Sequence, residues 1–123
     1  MTTTSKPTLV LGATDNPARY AYLAATRLQA AGHPVYLLGS HEGKVGDAPI
    51  MVGKPALNNV DTVTLYLRPE RQEEYYDYII GLHPHRIVFN PGTENPALIK
   101  LAEQHGIETE IACTLVMLSI GNY

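Results

Sequence analysis

Clusters of basic residues are missing from this sequence. Nine lysine and arginine residues stand against twelve aspartate and glutamate residues, and the formal net charge is −3. Nucleic-acid binding depends on clustered cations that neutralise phosphates. We therefore expect no nucleic-acid partner.

Cysteine and long apolar segments are also scarce. The single cysteine, Cys113, cannot form a disulfide within the chain, which favours a reducing compartment. Residues 1–6 contain no apolar signal core, and no apolar run is long enough to span a bilayer. We expect a cytoplasmic protein with no membrane partner. At this length we expect a flexible leader over residues 1–6 and a single domain over residues 7–123.

Two kinds of apolar pattern alternate along the chain. Short apolar or β-branched runs predict five main strands, near residues 9–11, 35–38, 60–67, 86–89 and 107–111. Helical spacing predicts helices over residues 18–31, 70–82, 96–105 and 115–118. Residues 43–59 show no clear pattern, apart from a short apolar run at 50–52 that is a candidate for one further short strand. The alternation predicts an α/β fold: a Rossmann-like, doubly wound sheet of about five parallel strands in the order 3-2-1-4-5, with helices on both faces.

The first strand is followed by a turn that predicts an anion site. Gly12 stands where the backbone must turn sharply, Asn16 is a good helix N-cap, and Pro17 suits the first helical position. Residues 13–16 would then lie over a helix N-terminus, where free N–H groups and the helix dipole favour phosphate. Arg19 opposes the dipole unless an external anion lies nearby, so it strengthens this prediction.

Ligands of doubly wound sheets bind beyond the carboxyl ends of the strands, where the strand order reverses. This rule brings together the loops that follow the first four strands. The predicted site residues are Gly12, Ala13, Thr14, Asp15, Asn16 and Arg19 in the first loop, Gly39, Ser40, His41 and Lys44 in the second, Leu67 and Arg68 in the third, and Asn90, Pro91 and Gly92 in the fourth.

The first loop departs from a dinucleotide-binding fingerprint. Thr14 and Pro17 stand where the later glycines of that motif would be, and no acidic residue ends the second strand to bind a ribose hydroxyl. A phosphate-bearing nucleotide other than NAD is therefore favoured, with NAD(P) as the alternative. His41 and Lys44 are the cations expected nearest the ribose.

Three parts of the sequence resemble the small stand-alone CoA-binding proteins, which are themselves similar to the CoA-binding domain of the succinyl-CoA synthetase α-subunit. These parts are residues 10–20, residues 90–95 and Cys113. The resemblance implies a Rossmann-like domain in which residues 12–16 and Arg19 hold CoA phosphates. It also implies that the loop after the fourth strand lines the same cleft. With CoA as the ligand, Lys44 is predicted to help select CoA over dephospho-CoA.

We therefore expect a protein that binds coenzyme A or an acyl-CoA, a small-molecule nucleotide ligand, as a monomer or small homo-oligomer. No catalytic arrangement is evident, and His83 and His85 lack a third metal ligand, so neither catalysis nor a metal is expected. Tyr75, Tyr76 and Tyr78 are predicted to pack in a helix. Two alternatives stay open: a minimal NAD(P)-linked oxidoreductase, and an interaction domain that has lost its ligand.

Overall fold

The computed structural model describes residues 5–123, so most of the predicted leader lies outside the described residues. Lys6, the last residue of that leader, is tied to the fold by two hydrogen bonds. Its backbone N–H donates to His33 Nδ1 at 2.9 Å, and its Nζ donates to the backbone oxygen of Tyr123 at 2.7 Å.

The described chain forms seven strands and five α-helices. In chain order they are β1 (Thr8–Leu11), α1 (Tyr20–Ala30), β2 (Val35–Leu38), β3 (Gly43–Val45), β4 (Ala48–Met51), β5 (Thr62–Leu65), α2 (Pro69–Gln72), a 3₁₀ turn (Glu73–Tyr75), α3 (Tyr76–Gly81), β6 (Arg86–Phe89), α4 (Pro96–Gln104), β7 (Glu108–Ile111) and α5 (Thr114–Ile120). The described part of the chain contains no helix long and apolar enough to cross a membrane.

The strands form one sheet in the order β3-β4-β2-β1-β5-β6-β7, and every neighbouring pair except β3–β4 is parallel. The prediction of a mostly parallel α/β sheet is confirmed. The predicted number and order of strands are wrong. The predicted third main strand, now β5, pairs with β1 in the register Leu9↔Val63 and does not lie at the edge beside β2.

The edge beside β2 is occupied by a hairpin that sequence patterns did not reveal. β4 runs parallel to β2, with Ile50 opposite Leu37, and β3 folds back antiparallel on β4. The two-residue turn between them uses Gly46 at φ 61°, a left-handed conformation that favours glycine. Exposed Lys44 and Pro49 interrupt β3 and β4, so neither strand shows the continuous apolar run that marks β1 and β2.

The two faces of the sheet carry separate apolar clusters, as expected for helices on both sides. Alternate residues of β1 point to opposite faces. On the α1 side, Val10 packs with Ala25 and Leu28 of that helix. On the α3 side, Leu9 packs with Ile79. Each large apolar side chain buried here contributes on the order of 1.5–3 kcal/mol.

The predicted continuous helix over residues 70–82 is interrupted. α2 ends at Gln72, a 3₁₀ turn follows, and α3 begins after Tyr75, whose backbone has φ −105° and ψ 0°. The side chain of Gln72 is fully buried in a polar network described below. Tertiary contacts thus override the helical preference of this segment.

The predicted start of α4 is confirmed. Asn95 occupies the N-cap position, and its Oδ1 accepts hydrogen bonds from the N–H groups of Ala97 at 3.1 Å and Leu98 at 3.2 Å. Pro96 is the first helical residue.

Candidate functional site

The carboxyl ends of β2, β1 and β5 open into a cleft of about 520 Å³. The cleft has three walls, and each wall is formed by the residues that follow one of these strands. This is the edge of the sheet where doubly wound folds bind their ligands.

The wall after β1 is shaped by Gly12. Its φ of 99° favours glycine, and a Cβ at this position would lie 2.8 Å from the carbonyl carbon of Tyr66. The N–H groups of Gly12 and Ala13 both donate to the carbonyl of Leu38, at 2.9 and 3.0 Å. The loop is therefore fixed between β2 and β5, and Thr14, which follows it, also lines the cleft.

Helix α1 begins later than predicted. Asn16 Oδ1 accepts a hydrogen bond from the N–H of Ala18 at 3.0 Å, but the helix starts at Tyr20. The N-cap position is held by Arg19, whose side chain makes no capping hydrogen bond. The prediction that Asn16 caps this helix and Pro17 opens it is wrong, because the Asn16 side chain closes only a local turn.

The late start leaves the N-terminus of α1 at the cleft. Asn16, Arg19, Tyr20 and Ala21 all line it. No side chain caps this eleven-residue helix. The positive end of the helix dipole and the amides of its first turn therefore lie at the wall of the cleft, where they favour an anion.

The wall after β2 consists of Gly39, Ser40 and His41. The N–H of Gly39 donates to the carbonyl of Met51 at 3.0 Å, and a Cβ at Gly39 would collide with the carbonyl oxygen of Ala13. Ser40 Oγ and His41 Nδ1 lie 2.9 Å apart in a hydrogen bond. The close approach of the two loops thus requires glycine and brings polar side chains to the mouth of the cleft.

In the first and second loops, two of the predicted site residues lie outside the cleft. Lys44 is exposed within β3, paired with Pro49 of β4, because the chain enters the hairpin at Gly43. Asp15 is exposed and lies against Gly43, where an added Cβ would be 2.7 Å from Asp15 Oδ2. Neither residue lines the cleft.

The wall after β5 is formed by Tyr66, Leu67, Arg71 and Tyr75. Only Leu67 was among the predicted site residues. Arg68, also predicted, does not line the cleft: its side chain is 78% exposed and lies 4.0 Å from the carboxylate of Glu70.

The hydroxyl of Tyr66 is buried and has no hydrogen-bond partner among the described residues. Burial, with a smaller effect of nearby Cys113, raises the pKa of Tyr66 far above its ordinary value. Burial thus favours the neutral form of this phenol.

The loop after β6 does not line the cleft, in contrast to what the resemblance implied. Pro91 and Gly92 are exposed, whereas Asn90 is buried. Asn90 Nδ2 donates to Thr64 Oγ1 at 2.7 Å and to the carbonyl of Leu65 at 2.8 Å, while its Oδ1 accepts from the N–H of Thr114 at 2.9 Å. Asn90 thus braces the end of β5 from behind the cleft.

All basic side chains of the cleft are unopposed by acids. Arg19, His41 and Arg71 line it, and its walls contain no aspartate or glutamate. Within residues 5–123, the ion pairs are Arg68–Glu70 and Arg86–Glu110, so neither cleft arginine is paired there. In a chain of net charge −3, this concentration of positive charge is suited to an anionic ligand.

Residues 5–123 contain no group of three or more His, Cys, Asp or Glu side chains placed to hold a metal ion. The histidine pair at His83 and His85 lies at the amino ends of the strands, beside a second depression of about 400 Å³ that also includes Asp61.

Sequence reasoning missed Tyr20, Tyr66, Arg71 and Tyr75. Tyr75 was expected only to pack, and it does contact the apolar cluster on the α3 side while also lining the cleft. Arg71 could have been noticed, since, like Arg19, it is a cation placed shortly after a buried strand. Its position within a predicted continuous helix gave no sign of which way it faced.

Comparisons with known proteins agree with this geometry. The model of a family described as CoA binding domain matches residues 6–119. A crystal structure described as that of an uncharacterized protein is 48% identical, with a TM-score of 0.95, covering 98% of this chain and 100% of the other. No curated protein matches.

More distant structures show the same fold. A protein from Thermus thermophilus is 20% identical, with a TM-score of 0.82, over 97% of this chain and 91% of the other. A hypothetical protein from Pyrococcus horikoshii OT3 is 24% identical, with a TM-score of 0.81, over 94% of this chain and 82% of the other. At these identities the likeness concerns the fold alone.

Proposed function

The chain belongs to the family of CoA-binding domains, and on this premise we propose that it binds coenzyme A or an acyl-CoA in the cleft beyond β2, β1 and β5. The observation that carries the proposal is the charge of the cleft. Three basic side chains line it without a single acid, next to an uncapped helix N-terminus. Coenzyme A carries a diphosphate and a 3′-phosphate, which are the groups such a site attracts.

The fold suggests how the ligand lies. In doubly wound sheets the diphosphate sits over the turn after the first strand, and the adenosine lies toward the second strand. The diphosphate would then rest on residues 12–16, Arg19 and the start of α1. Ser40 and His41 would face the adenosine, and Leu67 would face the pantetheine arm. Lys44 lies outside the cleft, so the phosphate contacts are assigned without it.

The walls favour coenzyme A over NAD. NAD-binding sites of this fold use an acidic residue near the end of the second strand to bind the ribose hydroxyls. Here that position is held by Gly39, Ser40 and His41, and no acid lines the cleft. Thr14 also stands where a dinucleotide motif has a second glycine.

The direct test is calorimetry or thermal shift with CoA, acetyl-CoA, NAD and NADP. A ligand that binds only the folded state raises the melting temperature with increasing concentration. We expect stabilisation by CoA and acetyl-CoA. A response to NAD or NADP alone would support an oxidoreductase-like protein. No response to any of the four would favour an interaction domain without a ligand.

A matched pair of variants tests the phosphate contact. Arg19→Ala should weaken CoA binding by about 1.5–3 kcal/mol, the range for a hydrogen bond to a charged group, with little change in folding stability. Arg27→Ala is the control, since Arg27 is an exposed arginine in the last turn of the same helix and does not line the cleft. Equal affinities of the two variants would remove Arg19 from the site.

A further inference from the structure

Arg71 is the second arginine of the cleft, and it enters from the other side of the sheet. Arg19 precedes α1, which packs on one face together with Val10. Arg71 lies in α2, just before Tyr75, which packs against the cluster on the opposite face. Arg19 and Arg71 therefore belong to different walls of the cleft, the wall after β1 and the wall after β5.

The backbone that carries Arg71 is held rigidly by its neighbour Gln72. The Gln72 side chain is fully buried, and its Nε2 donates to the carbonyls of Leu67 and Thr93, both at 2.8 Å. Its Oε1 accepts from Asn95 Nδ2 at 3.0 Å. A buried, fully bonded amide of this kind fixes the single turn of α2 between the ends of β5 and β6. The backbone at Arg71 is therefore fixed relative to the cleft that this residue lines.

Arg71 also differs from its neighbour Arg68. Arg68 lies outside the cleft and is paired with Glu70. Arg71 lines the cleft and has no ion-pair partner within residues 5–123, although Glu70, Glu73 and Glu74 are close in sequence. An arginine kept free of its acidic neighbours and facing an acid-free cleft is available to an external anion.

We infer that Arg71 contacts the phosphate of the diphosphate that is joined to pantetheine, opposite Arg19, and that Gln72 is the positioning residue for this contact. The inference rests on the proposed function. The adenosine lies toward β2 in folds of this kind, so the phosphate farther from the adenosine lies nearest the wall after β5, where Arg71 stands. Two arginines on different walls then share the two charges of the diphosphate.

The experiment compares Arg71→Gln with Arg68→Gln, a matched loss of one arginine three residues away. Affinities are measured by calorimetry for CoA, dephospho-CoA and adenosine 3′,5′-bisphosphate, which lacks the pantetheine-side phosphate. Arg71→Gln should weaken CoA and dephospho-CoA by about tenfold each and leave the bisphosphate unchanged. Arg68→Gln should leave all three unchanged. Arg71→Lys keeps the positive charge but loses the paired hydrogen bonds of a guanidinium group. It should therefore bind CoA more tightly than Arg71→Gln but less tightly than the wild type.

Three results would overturn the inference while leaving CoA binding intact. The first is equal affinity of the Arg71→Gln and Arg68→Gln variants for CoA. The second is a loss for CoA but not for dephospho-CoA, which would place Arg71 on the 3′-phosphate. The third is an equal loss of affinity for the bisphosphate, which would mean that Arg71 attracts anions in general and does not contact the pantetheine-side phosphate. Failure of the wild-type protein to bind CoA would instead refute the proposed function.

The role of Gln72 has its own readout. Gln72→Met keeps the size of the side chain but loses the three hydrogen bonds of its amide. At temperatures where this variant is folded, it should lose affinity for CoA and dephospho-CoA but not for the bisphosphate. In the Arg71→Gln background it should cause no further loss of affinity. A purely structural Gln72 would lower the melting temperature and leave the three affinities in their wild-type ratio.

Discussion

The dipeptide Asn-Pro occurs three times in this protein, and two of its copies, one after β1 and one after β6, stand just before a helix with different outcomes. At Asn95-Pro96 the asparagine caps α4, and the proline is its first residue. At Asn16-Pro17 the same pair closes a local turn, and α1 begins three residues after the proline. The local sequence signal is the same at both places, so contacts elsewhere in the fold determine whether the asparagine caps a helix.

The difference lies in what else holds each asparagine. Asn95 is 5% exposed, and its Nδ2 donates to Gln72 Oε1 at 3.0 Å and to Tyr76 Oη at 2.8 Å. Asn16 is exposed, and its hydrogen bonds stay within residues 14–19. A side chain held by tertiary contacts can cap a helix firmly. The first amides of α1 have no side-chain cap, as the proposed binding site requires.

Replacing each asparagine by alanine measures how much it contributes to stability. Asn95→Ala should lower the free energy of unfolding by about 2–4 kcal/mol, because it removes a helix cap and leaves buried Gln72 and Tyr76 groups without their donor. Asn16→Ala should cost about 0.5 kcal/mol or less, as expected for an exposed side chain. Urea denaturation measures both. Equal losses would mean that the two asparagines play the same structural role.

A charge at Asn16 sharpens the contrast between folding and binding. Asn16→Asp places a negative charge near the N-terminus of α1, which should stabilise the free protein by about 0.3–1 kcal/mol. The same charge repels the phosphates of the ligand, so CoA affinity should fall about fivefold at low salt and recover partly at high salt. Tighter CoA binding by this variant would contradict an anion site at this helix end.

A fall in pH is expected to change the stability less than these substitutions do. It also tests whether the stability effects of Asn16 and Asn95 are independent of the rest of the fold. His33 is 6% exposed, and its Nδ1 accepts the N–H of Lys6. Burial, followed by the positive charges of Lys6 and Arg86, lowers the pKa of His33 below its ordinary 6.5. The unfolded chain then binds the proton more readily than the folded one. Stability should be complete above about pH 6.5 and fall as the pH drops below it.

The control for this effect is His33→Gln, which should flatten the pH dependence of unfolding between about pH 8 and about pH 5.5. Asn16→Ala and Asn95→Ala leave His33 and its partners in place, so their stability curves should run parallel to the wild-type curve. A wild-type protein that becomes more stable on acidification through this range would show that the sign assigned to His33 is wrong.

Some features of this protein follow from the sequence by itself. Apolar periodicity located the main strands and most helices, and their alternation indicated a parallel sheet covered on both faces. The turn at Gly12 was also readable, because a glycine after a buried strand signals a backbone that other residues cannot adopt. These features are local, and near neighbours in the chain are sufficient to specify them.

Other features were decided only by the tertiary structure. Pairing of β5 with β1, the β3–β4 hairpin and the placement of Asn90 behind the cleft depend on contacts between distant parts of the chain. The same holds for Arg71 facing the cleft while Arg68 pairs with Glu70. Propensity and spacing are properties of a segment, whereas strand order, side-chain burial and the caps of α1 and α4 depend on which segments meet. No local pattern encodes that choice, so Asn16 and Asn95 could be told apart only in the folded molecule.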